Sequence, residues 1–208
     1  MISSYLKNKL FFLSKIIFVY LILSIYSYSE NLNTNNSLIV LGSDKAEVKV
    51  KIFSSFTCPH CANFHFTVVP KLKKEYIDTG KVRMIFRDFP FNYPALLGSM
   101  VMRCIPSEVR YDYMNALYLL QNKWVVRENN VTRQELYKIM QSGGMSKENF
   151  DACLSDQDLE NVILKGVMDA QSEINIQSTP SFLINGNLVE GNKPIKVFRQ
   201  ILDKILSD

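Results

Sequence analysis

The clearest alternation of apolar and polar positions lies in "EVKVKIFSSF" (Glu47 to Phe56). There Val48, Val50 and Ile52 oppose Lys49, Lys51 and Phe53. A period of two predicts a β-strand. The short run "SLIVLG" (Ser37 to Gly42) and "KVRMIF" (Lys81 to Phe86) predict two more. Between the last two, from Cys58 to Tyr76, the apolar spacing is helical. Thr57 is the expected N-cap and Pro59 an early helical position that needs no N–H. Pro70 predicts a kink or a break into two helices. Strand, helix, strand in this order is compatible with a parallel crossover.

The pattern then changes. From Asp88 to Ser178 almost no strand signal remains. "ALLGSMVMRC", "DYMNALYLLQNKW", "TRQELYKIMQ", "SKENFDACLS" and "DLENVILKGVMDAQSEI" all read as helices. Ser146 with Asn149 and Thr132 with Glu135 look like helix starts, and Ser142 to Gly144 is a stop. "STPSFLINGNLVEG" returns to strand chemistry, with Asn185–Gly186 as a hairpin turn. "PIKVFRQILDKIL" closes the chain as an amphipathic helix with Ile195, Phe198, Ile201, Leu202 and Ile205 on one side. The helical block thus interrupts an α/β domain. The expected organisation is residues 37–87 and 179–208 as that domain, 88–178 as a helical insertion, and 30–36 as a flexible leader.

The first 30 residues, "MISSYLKNKLFFLSKIIFVYLILSIYSYSE", have another logic. Lys7, Lys9 and Lys15 precede an apolar run from Ile16 to about Ile25, and Ser27 and Ser29 are small residues before Glu30. This is the layout of a secretory signal peptide over residues 1–29 and predicts export to the periplasm. The alternative, an uncleaved anchor, has an apolar run short of the roughly 20 residues a span needs. Removing residues 1–29 lowers the formal charge from +4 to +1, because it takes three lysines and no acid. No phosphate-binding footprint is left, which argues against nucleic acid as a partner.

The composition adds four cysteines: Cys58, Cys61, Cys104 and Cys153. In an oxidising compartment an even count suggests pairing. Cys58 and Cys61 can pair within one helical turn, which leaves Cys104 with Cys153 as a structural disulfide. The nearby pair sits in "SFTCPHCANF" (Ser55 to Phe64), at a strand-to-helix junction. A closed zinc site would need four ligands, and only one C-x-x-C is present, with His60 and His65 the only histidines. A Cys58/Cys61/His65 site is the metal alternative; the expectation is no metal and no cofactor. A haem attachment needs His after the second cysteine, where Ala62 stands. An inert clip needs no special placement, whereas a helix N-terminus stabilises a thiolate on the first cysteine, and a protonated His60 adds positive charge. That favours the reduced form and makes the disulfide a ready oxidant. Farther on, Thr179–Pro180 puts a proline at a strand start, where a cis bond is one expectation.

Taken together, "FSSFTCPHC", "GKVRMIFRDFP", the helical block and "STPSFLINGNLVEG" resemble the DsbA-like branch of thioredoxin-fold disulfide oxidoreductases, from about Ser37 to the C-terminus. The resemblance implies a thioredoxin fold, a central mixed sheet flanked by helices, with an inserted all-helical domain. It implies Cys58 as exposed nucleophile and Cys61 as buried partner, with Pro59 and His60 tuning the redox poise. It implies Pro180 as a cis-proline facing the pair, with Thr179 pairing to substrate. It also implies reduced, partly folded exported proteins as substrates and a membrane quinone-linked re-oxidase. Two positions depart from the family: the strand before the tetrad, "VKVKIF", carries no acid, and His65 stands where those members carry a glutamate. The reading is a dithiol oxidase. Rivals are an isomerase or reductase of the same fold, and a non-catalytic metallochaperone using the C-P-H-C pair. Between Glu30 and Val48 there is no room for the dimerisation module isomerases carry, so a monomer is expected.

Overall fold

The computed structural model describes residues 38–207. The expected signal peptide and leader lie outside the described residues. Five strands form one sheet: β1 (Ile39–Leu41), β2 (Val48–Ser54), β3 (Val82–Asp88), β4 (Ser181–Ile184) and β5 (Asn187–Glu190), in the order β1-β3-β2-β4-β5. β2 runs parallel to β3 and antiparallel to β4, while β1 and β5 join antiparallel at the two edges. Register puts Ile52 between Phe86 and Phe182, and Phe53 between Arg87 and Ser181. The hairpin between β4 and β5 turns on Asn185 and Gly186, both at positive φ (43° and 90°), which an Asn-Gly pair tolerates better than any other.

Val48, Val50 and Ile52 are buried on one face, as the alternation requires, and Lys49 and Lys51 are exposed. Phe53, expected with the lysines on the opposite, polar face, is buried as well. Its ring meets Phe89 edge-on at 6.3 Å, in a cluster with Ala170 and Ile176. The second face is therefore covered at the C-terminal end of β2 only. The first face carries α1 (Pro59–Thr67) and the closing helix, with Phe64 packed 4.7 Å from Phe182 and 5.4 Å from Phe198.

The helix after β2 breaks at Val68, as Pro70 predicts. α1 ends there, α2 (Val69–Leu72) restarts, and a wide π turn follows over Lys73–Ile77. Helices then fill the interval between β3 and β4: α3 (Tyr93–Arg103), α4 (Arg110–Leu119), α5 (Gln121–Trp124), α6 (Asn129–Ser142), α7 (Lys147–Leu154) and α8 (Gln157–Ile174). The chain closes with α9 (Ile195–Ile205). Asn92, Ser146 and Asp156 cap α3, α7 and α8 through their side chains. Thr132 is not a cap. It lies inside α6, fully buried, and its hydroxyl donates to the Val126 carbonyl at 3.1 Å, so the helix starts a turn earlier than its sequence suggests.

One core runs from the sheet into the helices, joining Phe56, Phe64 and Phe182 to Leu97, Leu117 and Trp124. Gly98 lets α3 come close: a Cβ there would stand 3.1 Å from Trp124 Cη2 and 3.3 Å from Phe56 Cβ. Cys104 and Cys153 form a disulfide from the end of α3 to α7, with Cα atoms 6.2 Å apart. Among the described residues no helix is long and apolar enough to cross a membrane.

Candidate functional site

The two remaining cysteines are free thiols at the start of α1. The N-cap is Cys58 itself, one residue later than the expected Thr57. The cause is Pro59, whose fixed φ suits the first helical position, so the residue before it becomes the cap. Cys58 is extended (φ −83°, ψ 119°), and its carbonyl accepts from the N–H groups of Cys61 (3.1 Å) and Ala62 (3.2 Å). Its own N–H donates to the Ser55 carbonyl at 3.1 Å, which closes the turn out of β2. Cys58 is half-buried. Cys61, three residues on, is 1% exposed. Pro59 and His60, between them, are exposed.

At the entry to β4, the strand next to β2, the Thr179–Pro180 bond is cis. Because Phe53 pairs with Ser181, the residues before Ser181 lie beside the end of β2 and the turn that follows. The Cys58 thiol donates to the Thr179 carbonyl at 3.4 Å. Thus Cys58, Cys61, Thr179 and Pro180 are brought together, with Pro59 and His60 at the rim. Cys104 and Cys153 lie elsewhere, in the helical segment.

The two thiols differ sharply in acidity. Cys58 is held down at about 5, chiefly because Cys61 donates a hydrogen bond to its sulfur. Burial opposes this, while Thr179 and the N–H groups of Cys61 and His60 support it. As a thiol Cys58 donates to the Thr179 carbonyl; as a thiolate it accepts from these donors. Burial pushes Cys61 far above the usual thiol range, and the adjacent Cys58 pushes it further. One thiolate and one thiol therefore coexist at neutral pH, the outer sulfur nucleophilic and the inner one protonated.

His65, on α1 one turn beyond Cys61, is 2% exposed. It is not a helix-surface residue. Its Nε2 pairs with Asn115 Oδ1 at 2.6 Å, and its ring lies 5.1 Å from Tyr118 and 5.5 Å from Tyr111. Burial lowers its pKa against the opposing hydrogen bond that the ring donates to Asn115, so it is kept neutral.

The helical segment also reaches the cysteine turn. Gln121 Nε2 donates to the carbonyls of Phe56 (2.8 Å) and Cys58 (3.1 Å). The Thr57 hydroxyl donates to Asn92 Oδ1 at 3.3 Å. Neither Gln121 nor Asn92 was evident from sequence as a site residue. Asn92 carries a cap signal before "YPALL", but nothing short-range marks the glutamine of "YLLQNKW". Phe91, Tyr93 and Leu119, next to these contacts along the chain, are exposed apolar side chains.

A family model described as "Thioredoxin" matches residues 34–204. The chain belongs to the thioredoxin family. Within it the likeness is to the DsbA-like branch, and the fold is the thioredoxin fold with helices inserted between β3 and β4. The solved structure of Wolbachia pipientis alpha-DsbA1 superposes with a TM-score of 0.76 at 29% identity, covering 82% of this chain and 91% of that one. A Rickettsia felis protein provisionally named protein-disulfide oxidoreductase is 34% identical over 173 residues, 82% of this chain and 60% of that one. Disulfide bond formation protein D of Bacillus subtilis is 25% identical over 174 residues, 80% of this chain and 76% of that one. The chain spans about three-fifths of the length of the rickettsial relatives it matches.

Proposed function

We propose that this protein is an exported thiol:disulfide oxidoreductase that introduces disulfides into other proteins through Cys58 and Cys61. The observation that carries the proposal is the geometry of the pair, a half-buried Cys58 at the N-cap of α1 against the carbonyl of the cis Thr179–Pro180 unit with Cys61 buried behind it. This holds Cys58 down at about 5 and pushes Cys61 far upward. A stabilised Cys58 thiolate stabilises the dithiol over the disulfide, so the disulfide gives up its oxidation readily. Relatives named for disulfide oxidoreduction and disulfide bond formation support the same chemistry.

In this mechanism the resting protein carries the Cys58–Cys61 disulfide. A substrate thiolate attacks Cys58 Sγ; a substrate–Cys58 bond forms, the Cys58–Cys61 bond breaks, and Cys61 leaves and takes up a proton. A second substrate thiolate attacks the substrate sulfur of the mixed disulfide. The substrate disulfide forms and Cys58 departs as a thiolate, which its environment favours. Two electrons pass from the substrate dithiol to the protein, and a membrane quinone-linked partner removes them. Thr179 offers its backbone beside Cys58 for strand-like pairing with an extended substrate, next to Pro180. Phe91, Tyr93 and Leu119 suit partly folded substrates with apolar surface. Pro59 and His60 belong to the turn that sets the redox poise, and Cys104–Cys153 is a structural disulfide of the helical insertion, residues 88–178. Residues 1–29 direct export to the periplasm, and the protein works as a monomer.

An equilibrium titration against glutathione, following Cys58 by alkylation, tests the direction. A potential well above about −200 mV fits an oxidase, and one near about −270 mV fits a reductase and would sink the oxidase assignment. Stoichiometric zinc or copper retained by the reduced protein at Cys58 and Cys61 would instead favour a metallochaperone. N-terminal sequencing of the exported form tests cleavage after residue 29.

A further inference from the structure

Gln121 belongs to no motif, yet its side chain is fastened to the cysteine turn. One nitrogen, Nε2, serves both the Phe56 carbonyl at 2.8 Å and the Cys58 carbonyl at 3.1 Å. Both partners are acceptors, so the amide orientation is fixed: its two hydrogens must face the turn. Gln121 opens α5, immediately after α4 and its short joint at Leu120. Trp124, three residues on, is fully buried and donates its indole N–H to the Leu117 carbonyl at 2.9 Å. The platform under Gln121 is therefore rigid, as a positioning group requires.

We propose that Gln121 is a positioning residue that acts through the Cys58 backbone to hold the Cys58 sulfur over the first turn of α1. The proposal rests on the dithiol chemistry of the preceding subsection. The Cys58 carbonyl already anchors that turn through the N–H groups of Cys61 and Ala62. The N–H groups of His60 and Cys61 in turn support the Cys58 thiolate. Gln121 fixes the same carbonyl from outside the helix and, through Phe56, fixes the chain two residues upstream. It therefore sets both ends of the segment that aims Sγ. The amide hydrogens also bring partial positive charge to the turn, which favours a thiolate there. Without them the turn loosens, the N–H groups aim less well, and the dithiol loses stability relative to the disulfide. Gln121 thereby makes the protein a stronger oxidant while touching neither sulfur.

The test uses the full chain with two substitutions. Gln121→Met keeps the reach and removes the donors. Gln121→Glu keeps the shape and sets a carboxylate against two carbonyl oxygens. Two readouts matter: the Cys58 pKa from ultraviolet thiolate absorbance, and the equilibrium of the protein disulfide with two glutathione thiols. Loss of one hydrogen-bonding group predicts, for Gln121→Met, a Cys58 pKa about half to one unit higher. The glutathione equilibrium then shifts about three- to tenfold away from the protein dithiol. Gln121→Glu should move both further in the same direction. A folded Met or Glu variant with unchanged Cys58 pKa and unchanged glutathione equilibrium overturns the proposal, whatever its melting temperature. Failure of the underlying dithiol chemistry is distinguishable, because the unsubstituted protein would then not exchange with glutathione.

Discussion

The Cys58 thiolate should make the reduced protein more stable as pH rises, a contribution isolated by comparison with a variant that lacks it. The perturbation is Cys58→Ser, which removes the thiolate and keeps the size. The folded-state pKa of Cys58 is about 5 against an ordinary value of 9.0. A depressed pKa contributes stability that is fully present above the unfolded value and lost as pH falls through the folded one. The window is therefore about pH 5 to 9. At about 1.4 kcal/mol per unit, the shift has a ceiling of about 5 kcal/mol. The sulfur is half-exposed, and screening by solvent reduces this to about 2 kcal/mol. The assay is urea unfolding of reduced protein and of Cys58→Ser across that window, with the Cys104–Cys153 disulfide verified as intact by mass spectrometry. The difference in unfolding free energy should be near zero at the acid end and grow to about 2 kcal/mol at the alkaline end. A flat difference would refute the claim that the fold stabilises the Cys58 thiolate. His65 is common to both proteins, so its own titration cancels.

Other outcomes follow from the same geometry. Cys61→Ala should leave Cys58 able to attack a disulfide-bonded peptide, expelling one peptide sulfur as a thiolate, but remove the internal resolving thiol, so the Cys58–peptide mixed disulfide accumulates and is seen on non-reducing gels. The Cys104→Ala/Cys153→Ala variant opens a link of sequence separation 49 and should cost up to about 4 kcal/mol in chemical denaturation; no loss would mean the helices hold without it. Phe64→Ala, between Phe182 and Phe198, should cost about 3–5 kcal/mol by the same method. His65 is buried and its pKa is lowered, so the folded state resists its protonation and stability falls as pH drops below about 6.5. His65→Gln should flatten that acid limb, and an unaltered limb would assign it to other groups.

Much of the site was legible because its chemistry is local. A proline directly after the first cysteine of a C-x-x-C, at the end of an alternating strand, fixes where a helix starts and which sulfur lies outside. The cap fell on Cys58 instead of Thr57 for the same local reason. The hairpin was legible because Asn185 and Gly186 supply backbone conformations few other residues accept. Phe53 was not legible as core, since an aromatic in a lysine register is buried only because a distant segment, around Ala170 and Ile176, covers it. Thr132 shows the converse: a hydroxyl that resembles a cap in sequence is drawn inside by the Val126 carbonyl. His65 and Gln121 could not be read at all from short-range pattern. Their partners, Asn115 for one and the turn carbonyls for the other, lie 50 and more than 60 residues away, and only the packed helices bring them near.

Gly98 gives the molecule a vulnerable point in a place that inspection of the cysteines would never flag. The space between α3, Trp124 and Phe56 is narrower than a methyl group comfortably allows. Any residue acquired at position 98 would act as a wedge, pushing on the chain two residues before Cys58. Drift at a solvent-hidden position of a structural helix would then be felt at the cysteine turn, without altering a single atom of the C-P-H-C tetrad.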